Sequence, residues 1–158
     1  MPHSHTLSPS DHLHDDADAE EPSVAFYGVA YVAIAAGIAV ALWALDALVG
    51  VQMPGAATSI VAPIVAALLA GQRWAARHGS VPSSSAAWRF ALRAAGAVLL
   101  VNLGVWLVIA TAYGAAVPAT GTTVVALTGS VAIFGAALVG VNRLFVTYGA
   151  SSQLRGAR

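Results

Sequence analysis

Long apolar segments separated by short polar connections make up most of the chain after its first 23 residues. Four of them, at about 26–49, 57–74, 87–112 and 123–145, are almost free of charge. A helix rises about 1.5 Å per residue and a bilayer core is about 30 Å thick, so about 20 apolar residues can cross it. The pattern therefore predicts an all-α, polytopic membrane protein, with four transmembrane helices forming a bundle over residues 24–146.

The second segment is the weakest of the four, because it is short and contains Pro63. A proline inside a helix removes one backbone hydrogen bond, so we expect a kink there. Breaker residues mark the connections: Pro54 precedes the second segment, and Gly79 and Pro82 follow it. Any of the serines at 83–85 can cap the third helix by accepting a backbone N–H bond.

Polar sequence flanks the apolar segments. Residues 1–23 contain histidines and an acidic run but no apolar periodicity, which predicts a disordered cytoplasmic tail. No basic region precedes the first apolar segment, so we do not interpret that segment as a cleaved secretory signal. Residues 147–158 are predicted to form a short, frayed, basic tail.

Composition leaves few routes to catalysis. The chain is 58% hydrophobic and 9% charged, and it lacks cysteine, which excludes disulfides and thiolate nucleophiles or metal ligands. The apolar segments hold no carboxylate pair, and no phosphate-binding loop, nucleophile motif or zinc-protease motif occurs. We therefore expect a protein that is not an enzyme and has no cofactor. A net charge of zero gives no support to nucleic-acid binding.

The two signs of charge are separated along the chain. Six of the seven acids precede residue 22, and all seven bases follow residue 72. With four spans, the second connection and both tails share one side of the membrane, and they carry every base: Arg73, Arg77, Arg89, Arg93, Arg143, Arg155 and Arg158. Because basic connections stay in the cytoplasm, both termini are predicted to be cytoplasmic, in a bacterial inner membrane.

Trp74 and Trp88 lie where the second helix leaves the hydrocarbon and the third enters it, which is typical of interfacial anchors. Four arginines flank them: Arg73, Arg77, Arg89 and Arg93. These arginines either set topology alone or also bind an anionic lipid or a phosphorylated ligand. Each base near the inner leaflet contributes about 1 kcal/mol of attraction to anionic lipid. Lipid-binding runs usually hold more charges, closer together, so topology alone is the simpler interpretation.

Two polar side chains within the spans are candidates for function. Asp46 is the only acid in a predicted span, near the outer end of the first helix, and no base shares its side of the membrane. Three alternatives are open for its side chain: it reaches the outer headgroups, it is protonated, or it contacts a residue of another protein. Asn102 lies near the middle of the third helix, where an amide either bonds to a neighbouring helix or lines a transport path.

The N-terminal tail carries ligand types that suit zinc, nickel or copper: His3, His5, His12 and His14. The sequence shows no fixed geometry for them, so a solvated acidic tail is the simpler interpretation and we assign no metal. Small residues also recur at every fourth position in three helices, which lets helix backbones approach closely. These ridges are Ala33, Gly37 and Ala41; Ala62, Ala66 and Ala70; and Ala132, Ala136 and Gly140.

The segment from Pro54 to Asn102, PGAATSIVAPIVAALLAGQRWAARHGSVPSSSAAWRFALRAAGAVLLVN, resembles the ABZJ_00895 family of small bacterial membrane proteins. The shared features are a proline before the second helix, a Gly-x-x-aromatic exit, a basic loop ending in Pro-Ser, and Trp-Arg-Phe at the start of the third helix. The family has an acidic residue where this chain has Ala86. The resemblance implies four membrane helices of unassigned function, and it implies no catalytic residue.

Two functions of different classes fit these features. The first is a non-catalytic structural or accessory subunit that packs against a larger inner-membrane complex, with the bilayer and other membrane subunits, or itself, as partners. The alternative is a small oligomeric transporter or channel that uses Asp46, Asn102 and the Pro63 kink. A metal or stress sensor rests on the tail alone.

Overall fold

The computed structural model describes residues 21–50, 56–113 and 121–157. Over these ranges the chain is all-α and forms four helices: α1 (Val24–Val49), α2 (Ala56–His78), α3 (Ser84–Tyr113) and α4 (Gly121–Gly156). Each of the four predicted helices is present, and each is longer than its apolar pattern indicated.

Local signals in the sequence fix several helix ends. The Ser23 and Ser83 hydroxyls each accept a bond from the backbone N–H three residues later, at 3.3 Å in both cases. Ser83 is therefore the cap that the serine run predicted for α3. Gly50 and Gly79 follow the ends of α1 and α2 with φ of 69° and 64°, in the left-handed region where a β-carbon is strained.

Three of these helices are long and apolar enough to cross a membrane: Val24–Val49, Ser84–Ala112 and Val124–Gly156. The most apolar 18 residues of each have a mean hydropathy of 2.3, 2.1 and 2.2, and only 0%, 17% and 6% of them are buried inside the protein. Their exposed surface is therefore apolar over most of its length, and lipid or other protein must cover it. The helices thus indicate a membrane protein.

α2 is not among the three, because the part of it whose side chains the structure describes, 60–78, ends in the polar residues Gln72, Arg73 and Arg77. It packs instead against α1 and α4, while α3 packs against α1 and α4 from another side. Pro63 is buried within α2, and the helix continues on both sides of it.

Small side chains form most of the core. Many alanines of α2 and α3 are buried, including Ala62, Ala66, Ala70, Ala87, Ala91 and Ala94. The few large buried side chains include Tyr27 of α1, Phe90 of α3 and Val146 of α4. Because alanine projects only a methyl group, helix backbones pack close together.

The closest approach joins α2 to α4 through two glycines that the sequence did not single out. A β-carbon at Gly71 would clash with the carbonyl oxygen of Val146, and one at Gly149 would clash with the carbonyl oxygen of Leu68. Both glycines are buried. Backbone rather than side chain therefore forms this contact, and neither position has room for a larger residue.

The core occupies only about one half of the length of α1, α3 and α4. Tyr31 is the last buried residue of α1, and no described residue of α3 after Val98 or of α4 before Leu138 is buried. The stretch 103–109 of α3 is exposed at every position, which is about two helical turns. No face of α3 packs against the rest of the described protein there.

Two predictions about the chain ends are corrected. Residues 21–23 are ordered rather than part of a disordered tail, because Pro22 is buried and Glu21 forms ion pairs with α3. Residues 1–20 lie outside the described part. The basic tail at 147–158 is not frayed: α4 continues to Gly156, because Gly149 and Ala150 are small enough to pack tightly and are buried.

Candidate functional site

The start of α1, the end of α2, the start of α3 and the stretch of α4 around Arg143 meet at one end, which we call the basic end. Glu21, before α1, accepts a charged hydrogen bond from Arg93 of α3, and Arg89 Nε lies 4.0 Å from its Oε2 atom. The last turn of α1, which carries Asp46, lies at the opposite end. The predicted arginine cluster is thus a real spatial cluster, and α4 adds a cation to it.

Aromatic rings hold two of these cations in place. The guanidinium carbon of Arg73 lies 4.5 Å from the centroid of the Phe26 ring, which joins α2 to α1. That of Arg143 lies 4.5 Å from the Trp88 ring, which joins α4 to α3. A cation over a ring face is attracted by the ring quadrupole, and its N–H edges stay available for other partners.

Glu21 is a site residue that sequence reasoning missed, because it belongs to an acidic run that looked uniformly solvated. The side chains of its partners Arg89 and Arg93 are 44% and 62% exposed, so the pairing adds at most about 1 kcal/mol. The Glu21 side chain itself is 17% exposed. Its Oε2 atom is buried and has no hydrogen-bond partner among the described residues.

The two tryptophans differ from each other. Trp88 is 44% exposed beside Arg143, as an interfacial anchor should be. Trp74 is only 7% exposed and stacks on His78 at 3.8 Å between ring centroids, so most of its side chain contacts protein, and its role as an interfacial anchor stays a prediction. Trp74 and Phe26 of α1 line the same cleft. The Trp74 indole N–H is buried and has no hydrogen-bond partner in the described part of the chain.

Two half-open clefts lie at the basic end. The α1–α2 cleft has a volume of about 290 Å³ and brings together Glu21, Ser23, Phe26, Arg73, Trp74 and Arg77. The α3–α4 cleft has a volume of about 410 Å³ and includes Ser84, Trp88, Arg143 and Thr147. Both clefts combine cations, hydroxyls and aromatic rings, which suits an anionic group.

A second set of polar groups lies between the helices, nearer the middle of the protein. Asn102 donates through Nδ2 to the Tyr31 hydroxyl at 3.0 Å, and also to the Val98 carbonyl at 2.8 Å. The amide therefore joins α3 to α1, which is the first of the two roles considered for it. Tyr31 lies parallel to Tyr27, with 6.4 Å between ring centroids.

The Tyr27 hydroxyl and the Asn142 amide continue this set toward the basic end. Asn142 of α4 is fully buried, and neither its nitrogen nor its oxygen has a hydrogen-bond partner among the described residues. The Tyr27 hydroxyl is also buried and has no hydrogen-bond partner among the described residues. Tyr27, Tyr31, Asn102 and Asn142 together form what we call the polar seam. The burial of Asn142 could not be predicted from the sequence pattern.

We expect the Asn102–Tyr31 bond to be measurable as a coupling between α3 and α1. Asn102→Leu and Tyr31→Phe each remove one partner, and the double variant removes both. Interhelical bonds of this kind contribute about 0.6–2 kcal/mol in membranes, so the coupling free energy should fall in that range. Unfolding of the four proteins in mixed micelles gives the double-mutant cycle. Additive effects of the single changes would mean that the bond contributes nothing.

Asp46 lies in the last turn of α1, is exposed, and forms no ion pair with any described residue. The basic end is at the other end of α1, so the structure does not bring Asp46 near the arginines or Asn102. His3, His5, His12 and His14 lie outside the described residues. Within those residues, no group of three or more metal-ligating side chains could hold a metal ion.

The chain has no match among known proteins in three comparisons: no family model, no curated protein and no solved structure matches it. The resemblance of residues 54–102 to a family of small bacterial membrane proteins therefore stays a prediction. Function must be argued from the basic end, the polar seam and the apolar surface.

Proposed function

We propose that this protein is a small, non-catalytic accessory subunit of the bacterial inner membrane that packs against a larger membrane protein complex. The observation that carries the proposal is the direction in which its small-residue ridges face. The other supports are the unpacked half of the helices and the exposed Asp46, for which a basic residue of a partner would be a counter-ion.

The ridge on α2 illustrates what such a ridge does in this chain. Ala62, Ala66 and Ala70 are all buried in the contacts of α2 with its neighbours. The ridges on α1 and α4 have the same spacing, yet every member is exposed: Ala33, Gly37, Ala41, Ala132, Ala136 and Gly140. A β-carbon at Gly37 or Gly140 would meet nothing within 4 Å. These two ridges are therefore free to pack against another helix.

A surface of small residues packs more closely against another helix than against lipid. Acyl chains are as apolar as leucine, so helices associate in a membrane through close packing and polar contacts rather than the hydrophobic effect. Small residues permit that close packing. The unpacked stretch of α3 at 103–109 and the exposed start of α4 add space in which a partner helix can enter.

We also propose that all four helices cross the membrane and that both termini are cytoplasmic. The 23 residues of α2 extend about 34 Å, which is enough to span the hydrocarbon core despite its polar last turns. Every basic residue then lies on the cytoplasmic side, including those of the basic end.

A labelling experiment tests this topology, since the chain has no cysteine. We expect a cysteine at Ser80, between α2 and α3, to react with a membrane-impermeant maleimide only after the cells are opened. A cysteine at Gln52, between α1 and α2, should react in cells whose outer membrane alone is permeabilised. Labelling of both positions from the same side would mean that α2 does not cross.

A small oligomeric transporter or channel is the second candidate, and the polar seam favours it. Asn142 and Tyr27 place unpartnered polar atoms inside the helix packing, as the lining of a path would. Asp46 and Pro63 give it less support: Asp46 is exposed at the far end, and Pro63 is buried within α2. Flux in liposomes that Asn142→Leu abolishes, in a protein that stays folded, would establish this function.

Purification distinguishes the two functions. The protein, expressed at its native level and extracted in mild detergent, is sized, and everything that accompanies it is identified by mass spectrometry. A larger stoichiometric complex supports the accessory subunit. A homo-oligomer without other proteins contradicts it and favours the transporter.

A further inference from the structure

We propose that the α1–α2 cleft binds the headgroup of a glycerophospholipid that carries a hydrogen-bond donor. The phosphodiester sits on Arg73 and Arg77, and the donor, an ammonium or a hydroxyl, reaches Glu21. This inference rests on the location of the protein in a membrane, and it holds whichever partner or activity the protein has.

The cationic side of the cleft is suited to a phosphodiester. Arg73 and Arg77 are exposed, lie one turn apart on α2, and have no carboxylate partner among the described residues. Stacking on Phe26 fixes the plane of the Arg73 guanidinium, so less conformational entropy is lost when it binds. Guanidinium groups match phosphate oxygens with paired N–H bonds. The unpartnered indole N–H of Trp74, on a residue that also lines the cleft, is a further donor.

The acidic side of the cleft is suited to the hydrogen-bond donor of the headgroup, which is an ammonium or a hydroxyl. Glu21 lines the same cleft, and its Oε2 atom is buried, lies 4.0 Å from Arg89 Nε, and has no hydrogen-bond partner among the described residues. A buried carboxylate oxygen that lacks a donor is costly, and a ligand N–H or O–H relieves that cost. A phosphate monoester has no such group when doubly ionised, and Glu21 repels it. A headgroup with both an anionic phosphate and a donor fits both sides.

The size and position of the cleft agree with a headgroup. Its volume of about 290 Å³ is at the small end of the range of about 300–1,000 Å³ that is typical of ligand pockets. It is half-open and lies at the basic end, where polar and apolar surfaces of the helices meet. Acyl chains can therefore continue along the exposed apolar face of α1, which includes Val29 and Val32.

Phosphatidylcholine provides a matched control ligand, because it has the same phosphodiester but a quaternary ammonium without an N–H. The experiment measures binding of phosphatidylethanolamine, phosphatidylglycerol and phosphatidylcholine to the full-length protein in detergent by native mass spectrometry. We expect the first two to bind about tenfold more tightly than the third, because they can donate a charge-assisted hydrogen bond to Glu21 and phosphatidylcholine cannot. Equal binding of all three would overturn the proposal.

Variants assign the two halves of the site. Arg73→Gln with Arg77→Gln should weaken both favoured lipids by about tenfold or more. Arg155→Gln removes an exposed arginine that lines neither cleft, and it should leave binding unchanged. An equal loss of lipid affinity in the double variant and in the Arg155 variant would mean that the arginines attract lipid only through nonspecific charge. That result would overturn the proposal.

The Glu21→Gln variant is tested through a ratio of affinities, which a modest loss of stability does not change. In this variant, the ratio of the affinity for phosphatidylethanolamine to the affinity for phosphatidylcholine should fall to about one. Arg93→Gln breaks the same ion pair but keeps the carboxylate, and it should keep the preference. The soluble headgroup, glycerophosphoethanolamine, separates the two sources of this chemistry: binding as tight as that of the lipid would overturn the assignment to a membrane lipid.

Discussion

Replacing Gly149 by alanine is expected to destabilise the protein by about 3 kcal/mol, the upper part of the usual range for overpacking. The added methyl group would meet the backbone carbonyl of Leu68 rather than a side chain that could rotate away. The α2–α4 contact must therefore open, and it is the most extensive contact between two helices of the described protein. Gly71→Ala should have a similar effect, because its methyl group meets the carbonyl of Val146.

Gly140→Ala is the matched control on the same helix. A methyl group there has nothing within 4 Å, so the change should be neutral, or stabilising by up to about 1 kcal/mol through the lower flexibility of alanine. Reversible unfolding of the purified proteins by SDS in mixed micelles gives the difference. Equal stability of the Gly149 and Gly140 variants would mean that α2 and α4 are farther apart than described.

Replacing Gly37 by leucine is expected to abolish association with the partner while leaving the fold intact. Gly37 is the centre of the exposed ridge on α1, and bulk there prevents another helix from approaching closely. We expect recovery of the partner in mild detergent to fall by at least about tenfold, which corresponds to a loss of about 1.4 kcal/mol.

Ala39→Leu provides the control for added bulk. Ala39 is also exposed on α1 but points about 200° around the helix from Gly37. Partner recovery should stay at the wild-type level in this variant, and both variants should match the wild-type protein in unfolding and expression. Retained association in the Gly37 variant would exclude the α1 ridge as the contact, and the corresponding change at Ala136 would then test the ridge on α4.

The helices themselves could be predicted from the sequence, because their signals are local. Apolar runs, a serine cap and terminal glycines act within a few residues, and the structure has all of them near the expected positions. The basic end could be predicted in part, since four arginines around one short loop must lie near one another. Their partners could not be predicted, because Glu21 and Phe26 lie more than 40 residues away in the chain, just before α1 and in its first turn.

The sequence does not indicate which side of each helix points to the interior of the protein. Three ridges share one spacing, yet the ridge on α2 is buried and the other two are exposed. In a chain this rich in alanine, nearly every helix face looks suitable for packing, so periodicity does not distinguish the inner face from the outer one. The burial of Trp74 and Asn142 was missed for this reason. The close approach of α2 and α4 at Gly71 and Gly149 was missed because it depends on which helices cross.

Site-specific photocrosslinking in intact cells tests the central claim, that the outward ridges contact another membrane protein. A photoreactive residue is placed at Gly37, at Ala136 and, as the control, at Ala39. The account predicts a crosslink to one and the same heterologous membrane protein from Gly37 or Ala136, and none from Ala39. Crosslinks only to lipid, or only to a second copy of this chain, would contradict it.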